Sequence, residues 1–181
     1  MAESIDLLFA TVLVGGSETA AEVKSIHITK SINKVSFAEV VLNDGNKSAE
    51  SFDNSDSGNF DPGTEIEIKA GYDATEDTIF KGIITSLSVV IDATAGPSIA
   101  ISCKDEAIKA TLERKNAYFL KKKDRDISSG ILGDYSFTPS VDSTTIKYDE
   151  IIQFGATDWD FVLSRAEING LVVVTDDGNF N

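Results

Sequence analysis

One cysteine and one histidine are all that the 181 residues offer of the side chains that most often bind metals or activate nucleophiles. Cys103, alone, forms no internal disulfide, so the fold stands on its core and suits a reducing compartment. A lone His and a lone Cys exclude the usual four-ligand zinc site. The one histidine, His27, lies in a strand-like stretch among Lys24, Ser25 and Lys30, which reads as a surface polar residue rather than a catalytic base. Ser17, in GGSET, lacks the G-x-S-x-G turn of a hydrolase nucleophile. No phosphate loop or dinucleotide fingerprint occurs. No apolar run approaches the roughly 18 to 20 residues needed to cross a bilayer, and MAESIDLLFATVLVGG lacks the basic leader of a secretory signal. Positive charge is scarce as well: 16 Lys and Arg face 30 Asp and Glu, for a net charge of −14. That excludes a sequence-independent phosphate binder, whose affinity needs basic surface. It favours a soluble protein that resists casual self-association.

What the chain does have is β pattern. An apolar content of 41% supports a core. Residues 5–14 (IDLLFATVLV) end at Gly15-Gly16, and residues 23–32 (VKSIHITKSI) alternate broadly. Residues 35–44 (VSFAEVVLND) stop before Gly45. After Pro62-Gly63, TEIEIKAGY sets Ile66 and Ile68 against Glu65, Glu67 and Lys69. Residues 78–92 form a long strand in which Gly82 predicts a bulge or bend, and residues 98–105 form another. Strands joined by short turns without intervening helices predict an antiparallel barrel or sandwich, within which Cys103 is a small core residue.

The pattern changes after Asp105. EAIKATLERK places Ile108 and Leu112 at helical spacing, NAYFLKKK returns to an extended pattern, and Asp124 or Asp126 is placed to cap a short helix over ISSGILGDY. TPSVDSTTIKYDEIIQF gives two short strand-like pieces. The best helix follows, in QFGATDWDFVLSRAEINGL. Thr157 is its N-cap and Asp160 completes a capping-box-like pair. Asp158 and Asp160 suit the positive N-terminus. Trp159, Leu163 and Ala166 share a face, and Gly170 ends the helix in a left-handed conformation. The only Trp is thereby predicted to anchor a helix on a sheet. Residues 171–174 (LVVV) read as a further strand.

Two segments carry possible binding chemistry. Asp53, Ser55, Ser57 and Gly58 have the spacing of the start of an EF-hand loop, but the twelfth position is Thr64 and flanking helices are absent, so a solvated loop is expected. Residues 114–125 (RKNAYFLKKKDR) hold six of the basic residues: Arg114, Lys115, Lys121, Lys122, Lys123 and Arg125. The simplest reading is a solvated turn. The alternatives are a contact for an acidic partner, including another copy of this chain, and a nucleic-acid patch.

The order FDPGTEIEIKAGY…TIFKGIITSLSVV, KATLERKNAYFLKKKDRDISSGIL, YDEIIQFGATDWDFVLSRAEINGLVVV resembles the N-terminal hub region of VgrG/Rhs-element Vgr-type spike proteins of type VI secretion and related contractile injection systems, and of phage late control D proteins. The resemblance covers nearly the whole chain. It implies a mainly β fold with short helices: two small antiparallel β-barrel-like domains of the phage baseplate-hub kind. Residues 1–105 are the first, and 106–181 are a helical connection and an incomplete second. It implies a structural role without catalysis, cofactor or metal, in which a homotrimer adapts a hexameric tail tube to a trimeric puncturing spike. Other baseplate proteins and effectors are further partners, and assembly occurs in the cytoplasm before export. Thr157, Trp159, Asp160, Phe161, Leu163 and Gly170 are then the structural anchor, and the six basic residues are candidate subunit or tube contacts. A phage or prophage tail hub and a β-barrel ligand-binding module are the alternatives. Because the pattern stops before the return segment and spike, the chain is expected to be a fragment or a truncated product.

Overall fold

The structure is a computed structural model and describes residues 8–45, 52, 54–72, 75–92, 96–135 and 137–181. The chain divides into two compact units. One is built from the described residues up to Thr29 together with Phe37–Lys104, the other from Lys30–Ser36 and Asp105–Asn181.

The first unit is one seven-stranded sheet. Its strands are β1 (Leu8–Val14), β2 (Ser17–Glu18), β3 (Val23–Thr29), β4 (Phe37–Asn43), β5 (Glu65–Tyr72), β6 (Thr75–Asp92) and β7 (Gly96–Lys104), in the order β2-β1-β5-β6-β7-β4-β3. Every ladder is antiparallel. Alternation sends Val12 and Val14, Ile66 and Ile68, Ala38, Val40 and Leu42, and Ile99, Ile101 and Cys103 to one buried face, where they meet Phe60, Phe80 and Ile84. Wrapping that face on itself is what leaves Ile68, Val40 and Leu42 without exposure. Among the described residues no ladder joins β2 to β3, so the barrel-like sheet is not closed.

The bend expected at Gly82 lies elsewhere. Gly82 stays in register opposite Ile66, whereas Ile79 and Thr85 are the extra residues in the ladders to β5 and β7. The bulge at Thr85 shifts the inward phase by one residue, so Leu87 continues the core after Ile84. Beyond it, residues 86–91 have a ladder partner only in β7 among the described residues. Val89, Val90 and Ile91 are exposed there.

The second unit holds β8 (Arg114–Lys123), α1 (Asp124–Gly133), β9 (Thr138–Pro139), β10 (Lys147–Thr157), α2 (Asp158–Ile168), β11 (Thr175–Asp176) and β12 (Asn179–Phe180). β8 and β10 form an antiparallel ribbon. β11, β12 and β9 form a small sheet whose β9–β12 pair is parallel, a departure from the all-antiparallel expectation. The helix expected over EAIKATLERK is a 3-10 helix, Glu106–Thr111, capped by Asp105 accepting from the Ala107 N–H. The basic segment is a strand, not a turn. Residues 171–174 lie in no strand, although Val174 exchanges two backbone hydrogen bonds with Asn181. Residues 30–36 tie this unit together: Asn33 donates to the Val173 carbonyl, and the Ser36 hydroxyl to that of Thr175.

Candidate functional site

α2 begins where the sequence places it. Thr157 is extended at φ −68 and ψ 157, and its Oγ1 accepts from the Asp160 N–H at 3.0 Å. At the other end Gly170 takes φ +69, a conformation costly for any residue with a Cβ, and the Leu171 N–H returns to the Ala166 carbonyl at 2.9 Å. Between them Trp159 is 8% exposed and meets the edge of Phe180 at 5.9 Å. Phe180 packs on Phe137, and Phe137 stacks on Tyr135. Phe161 stacks on Phe119 of β8 at 5.7 Å, and Leu163 is half-buried against the same cluster. These aromatic contacts fasten α2 to the ribbon and the small sheet.

Sequence reasoning missed the polar half of this anchor. Asp158 is buried, and its Oδ2 accepts from Lys115 Nζ at 2.6 Å and from the Tyr135 hydroxyl at 2.5 Å. Its Oδ1 accepts from Gln153 Nε2 at 2.8 Å. Burial alone would raise the carboxyl of Asp158, but the bonds from Lys115, Tyr135 and Gln153 outweigh it and hold the group below the usual carboxylate range. The bonds to Asp158 and then Tyr135 push Lys115 above the ordinary lysine range. Both charges are therefore fixed near neutral pH, an arrangement that positions side chains rather than transferring protons. A second network departs from the capping role expected of Asp124. Its Oδ1 accepts from Arg165 Nε at 2.5 Å and its Oδ2 from Asn169 Nδ2 at 2.8 Å, while the N-cap of α1 is Lys123.

The six basic residues separate. Lys115 faces inward to Asp158, whereas Lys121, Lys122, Lys123 and Arg125 are exposed, and Arg114 donates to the Gly155 carbonyl at 2.7 Å. Lys122 also lies over the Phe119 ring. On the same ribbon Tyr118, opposite Ile152, and Leu120, opposite Glu150, are exposed. A bulge between Gln153 and Ala156, with Gly155 at φ +58, leaves Phe154 85% exposed. The alternation in Asn116, Tyr118, Leu120 and in Glu150, Ile152, Phe154 was the signal for this outward apolar stripe, masked by the neighbouring lysines.

The remaining candidates fall in the first unit. His27 is exposed on β3, 3.3 Å from the Thr29 hydroxyl. Cys103 is buried, and burial pushes its thiol up to about 12. Asp53 lies outside the described residues. Ser55 and Ser57 form one 3-10 turn with Asp56, where the Asn54 and Ser55 N–H groups donate to Asp44. Among the described residues no helix is long and apolar enough to cross a membrane.

A family model described as the Alg8 N-terminal domain matches residues 4–181. No curated protein matches the chain. Solved structures do. The 43 kDa tail protein of prophage MuSo2 from Shewanella oneidensis is 13% identical, with a TM-score of 0.74 over 96% of this chain and 52% of that one. The c3393 protein of E. coli is described as a component of the type VI secretion system with structural similarity to the T4 tail proteins gp27 and gp5. It is 13% identical, with a TM-score of 0.58 over 83% of this chain and 41% of its own. A chain of the Francisella PdpA–VgrG complex is 13% identical, with a TM-score of 0.59 over 90% of this chain and 25% of that one. The chain thus spans about half the length of the tail protein it matches, and less of the others. The mainly β fold is that of these phage-type tail proteins and of the type VI secretion component.

Proposed function

The chain belongs to the Alg8 N-terminal domain family, and from that premise we propose that it is hub material of a contractile injection machine, a structural part and not an enzyme. The observation that carries this reading is the tail-protein fold running through 96% of the chain and both of its units. In this role three copies contribute two β-rich units each, so that six units face a hexameric tail tube while the rest of the full-length protein forms a trimeric spike. Baseplate proteins and effectors are the further partners, and assembly in the cytoplasm precedes export with the apparatus.

Charge supports a contact role. The first unit carries 16 acidic and 5 basic residues, the second 14 and 11. The exposed Arg114, Lys121, Lys122, Lys123 and Arg125 beside the Tyr118–Ile152 stripe form a basic and apolar surface suited to an acidic neighbour. The side of residues 86–91 in β6 that has no ladder among the described residues offers an edge that another strand can cover. The prophage tail likeness favours a phage-derived hub equally, with the same mechanical task.

Light scattering on the purified chain over a wide concentration range, followed by mixing with a hexameric tube protein from the same gene cluster, tests this. A mass about three times the monomer, or a stable cap on the tube rings, is the expected result. A monomer that leaves the tube rings bare at every concentration would overturn the hub reading.

A further inference from the structure

The open sides of the strands are not alike. At one end of the seven-stranded sheet β2 is only two residues long, and at the other β3 carries the exposed Lys24. Short strands and charged side chains are common means of keeping an edge from pairing with another chain. Residues 86–91 of β6 have neither protection. Their sequence, SLSVVI, holds no charge, no proline and no glycine, and Val89, Val90 and Ile91 are exposed. On the side away from β7 they have no ladder among the described residues. An edge of this composition is a template for a further strand.

The second unit holds an edge of the opposite kind. β8 is laddered only to β10, and Lys121 takes φ +51, which breaks the regular extended run after Leu120. The stretch 114–120 is therefore close in length to 86–91. It carries Arg114 and Lys115, with Lys121, Lys122 and Lys123 directly behind, and Tyr118 and Leu120 are exposed on it. Two copies of β8 laid antiparallel would set Lys121, Lys122 and Lys123 of one against Arg114 and Lys115 of the other, and like charges so placed are destabilising. Two copies of residues 86–91 would bring together two first units, each with 5 basic residues against 16 acidic ones. Pairing β8 with β6 removes both repulsions. It sets a basic strand beside a unit with excess acid, and gives Tyr118 and Leu120 apolar cross-strand neighbours in residues 89–91. β10, the other edge of the ribbon, holds Asp149 and Glu150 against Lys147 and lacks that complement.

We propose that β8 of one copy of this chain pairs as a strand with residues 86–91 of β6 in a second copy, joining copies head to tail. The contact uses a different surface on each partner, so it closes into a ring or runs on as a filament. The proposal rests on the hub reading for its premise that copies assemble, and deepens it by naming the two edges that meet.

The test is complementation between two variants of the 181-residue chain, followed by sedimentation velocity. Val89→Lys with Ile91→Lys sets like charge against an incoming β8, and Lys121→Glu with Lys122→Glu sets like charge against the acidic first unit. All four positions are exposed, so both variants should melt with the parent. Each alone should associate at least about tenfold more weakly than the parent, and an equimolar mixture should recover the parent's mass. On the unaltered chain, raising the concentration should slow hydrogen exchange in residues 86–91 and 114–120 but not in β5, a measurement that needs no variant to fold. Full association of either variant alone would mean that an edge pairs with its own copy, and a mixture that stays weak would mean that the two edges do not meet. Either result overturns the proposal, as does unchanged exchange in either segment. A parent that stays monomeric at about 1 mM overturns it too, and is the result expected if a different protein covers β6. A monomer that nevertheless caps the tube rings would discard the edge pairing and leave the hub reading standing.

Discussion

The two units solve the same problem, a small β-rich body with few helices, by different means. In the first, a continuous ladder satisfies the main chain and the core is apolar, aliphatic side chains with Phe60, Phe80 and Cys103. Only Asp44 and Ser98 are buried polar residues among those described there. In the second, two short sheets leave more polar groups to be satisfied by side chains. Nine buried polar or charged residues appear, with Asp158 and Asp124 each at the centre of a network. A wide sheet specifies its own register through alternation. A patchwork of ribbon, helix and two-residue strands needs directional pairs to fix how its pieces meet.

Trp159→Ala attacks that contrast most directly. It should destabilise the second unit by about 3 to 5 kcal/mol, the usual cost of emptying a large aromatic site. Hydrogen exchange should show lost protection in α2 and β10 while β5 and β7 keep theirs. Equal loss in β5 and β7 would mean that the units unfold as one, and the comparison would fail.

Asp158→Asn sharpens it. Losing the ion pair while the buried partners stay should cost about 2 kcal/mol near pH 7, a modest figure because the Lys115 side chain is 35% exposed and screened by water. The folded carboxyl titrates below its unfolded value of about 3.9, so its contribution is present above that pH and is lost as pH falls through the folded value. Urea melts of parent and variant should therefore differ at neutral pH and begin to converge as pH falls below about 4. A gap that persists in acid contradicts the ionic origin.

Ile68→Val is the counterpart in the first unit. It should cost about 1 kcal/mol, by the same amount at pH 7 and at pH 5, because Ile68 packs in a cluster of apolar side chains. A clear pH dependence would show that the first unit also relies on charge. The smallest expected effect on folding is Lys122→Glu, within about 0.5 kcal/mol because the residue is exposed. Its expected readout is weaker self-association by sedimentation. Unchanged sedimentation would remove this lysine from the contact surface.

Legibility in the sequence divides along the same line. Glu65–Tyr72 was readable because each inward Ile is flanked by charge, and α2 because Thr157 and Gly170 mark its ends. The bulge at Thr85 was not readable, since a ladder slip depends on the partner strand. The partnership of Lys115 with Asp158 spans 43 residues, and that of Arg165 with Asp124 spans 41. No local pattern distinguishes these from the exposed charges beside them. Lysines at the end of β8 dominated its composition and hid the alternation that makes it a strand. Residues 171–174 looked like a strand because they are apolar, but their backbone bonds go once to Ala166, twice to Asn33 and twice to Asn181.

The tie formed by residues 30–36 has a temporal meaning. Ser36 meets Thr175 across 139 positions of sequence, whereas the ladders on either side of β6 close among neighbours in the chain. On a ribosome releasing residues from the N-terminus, the sheet has all its strands once Lys104 has emerged, while the tie waits for the segment that ends the second unit. The two halves of the tie also begin far apart, and joining them carries a loop-closure cost that grows with the logarithm of the intervening length. Folding of the first unit within that interval would shorten the effective loop and so lower that cost. Cutting the gene between residues 104 and 105 would therefore separate the two units on paper, but it would deprive the second of the seven residues that close it.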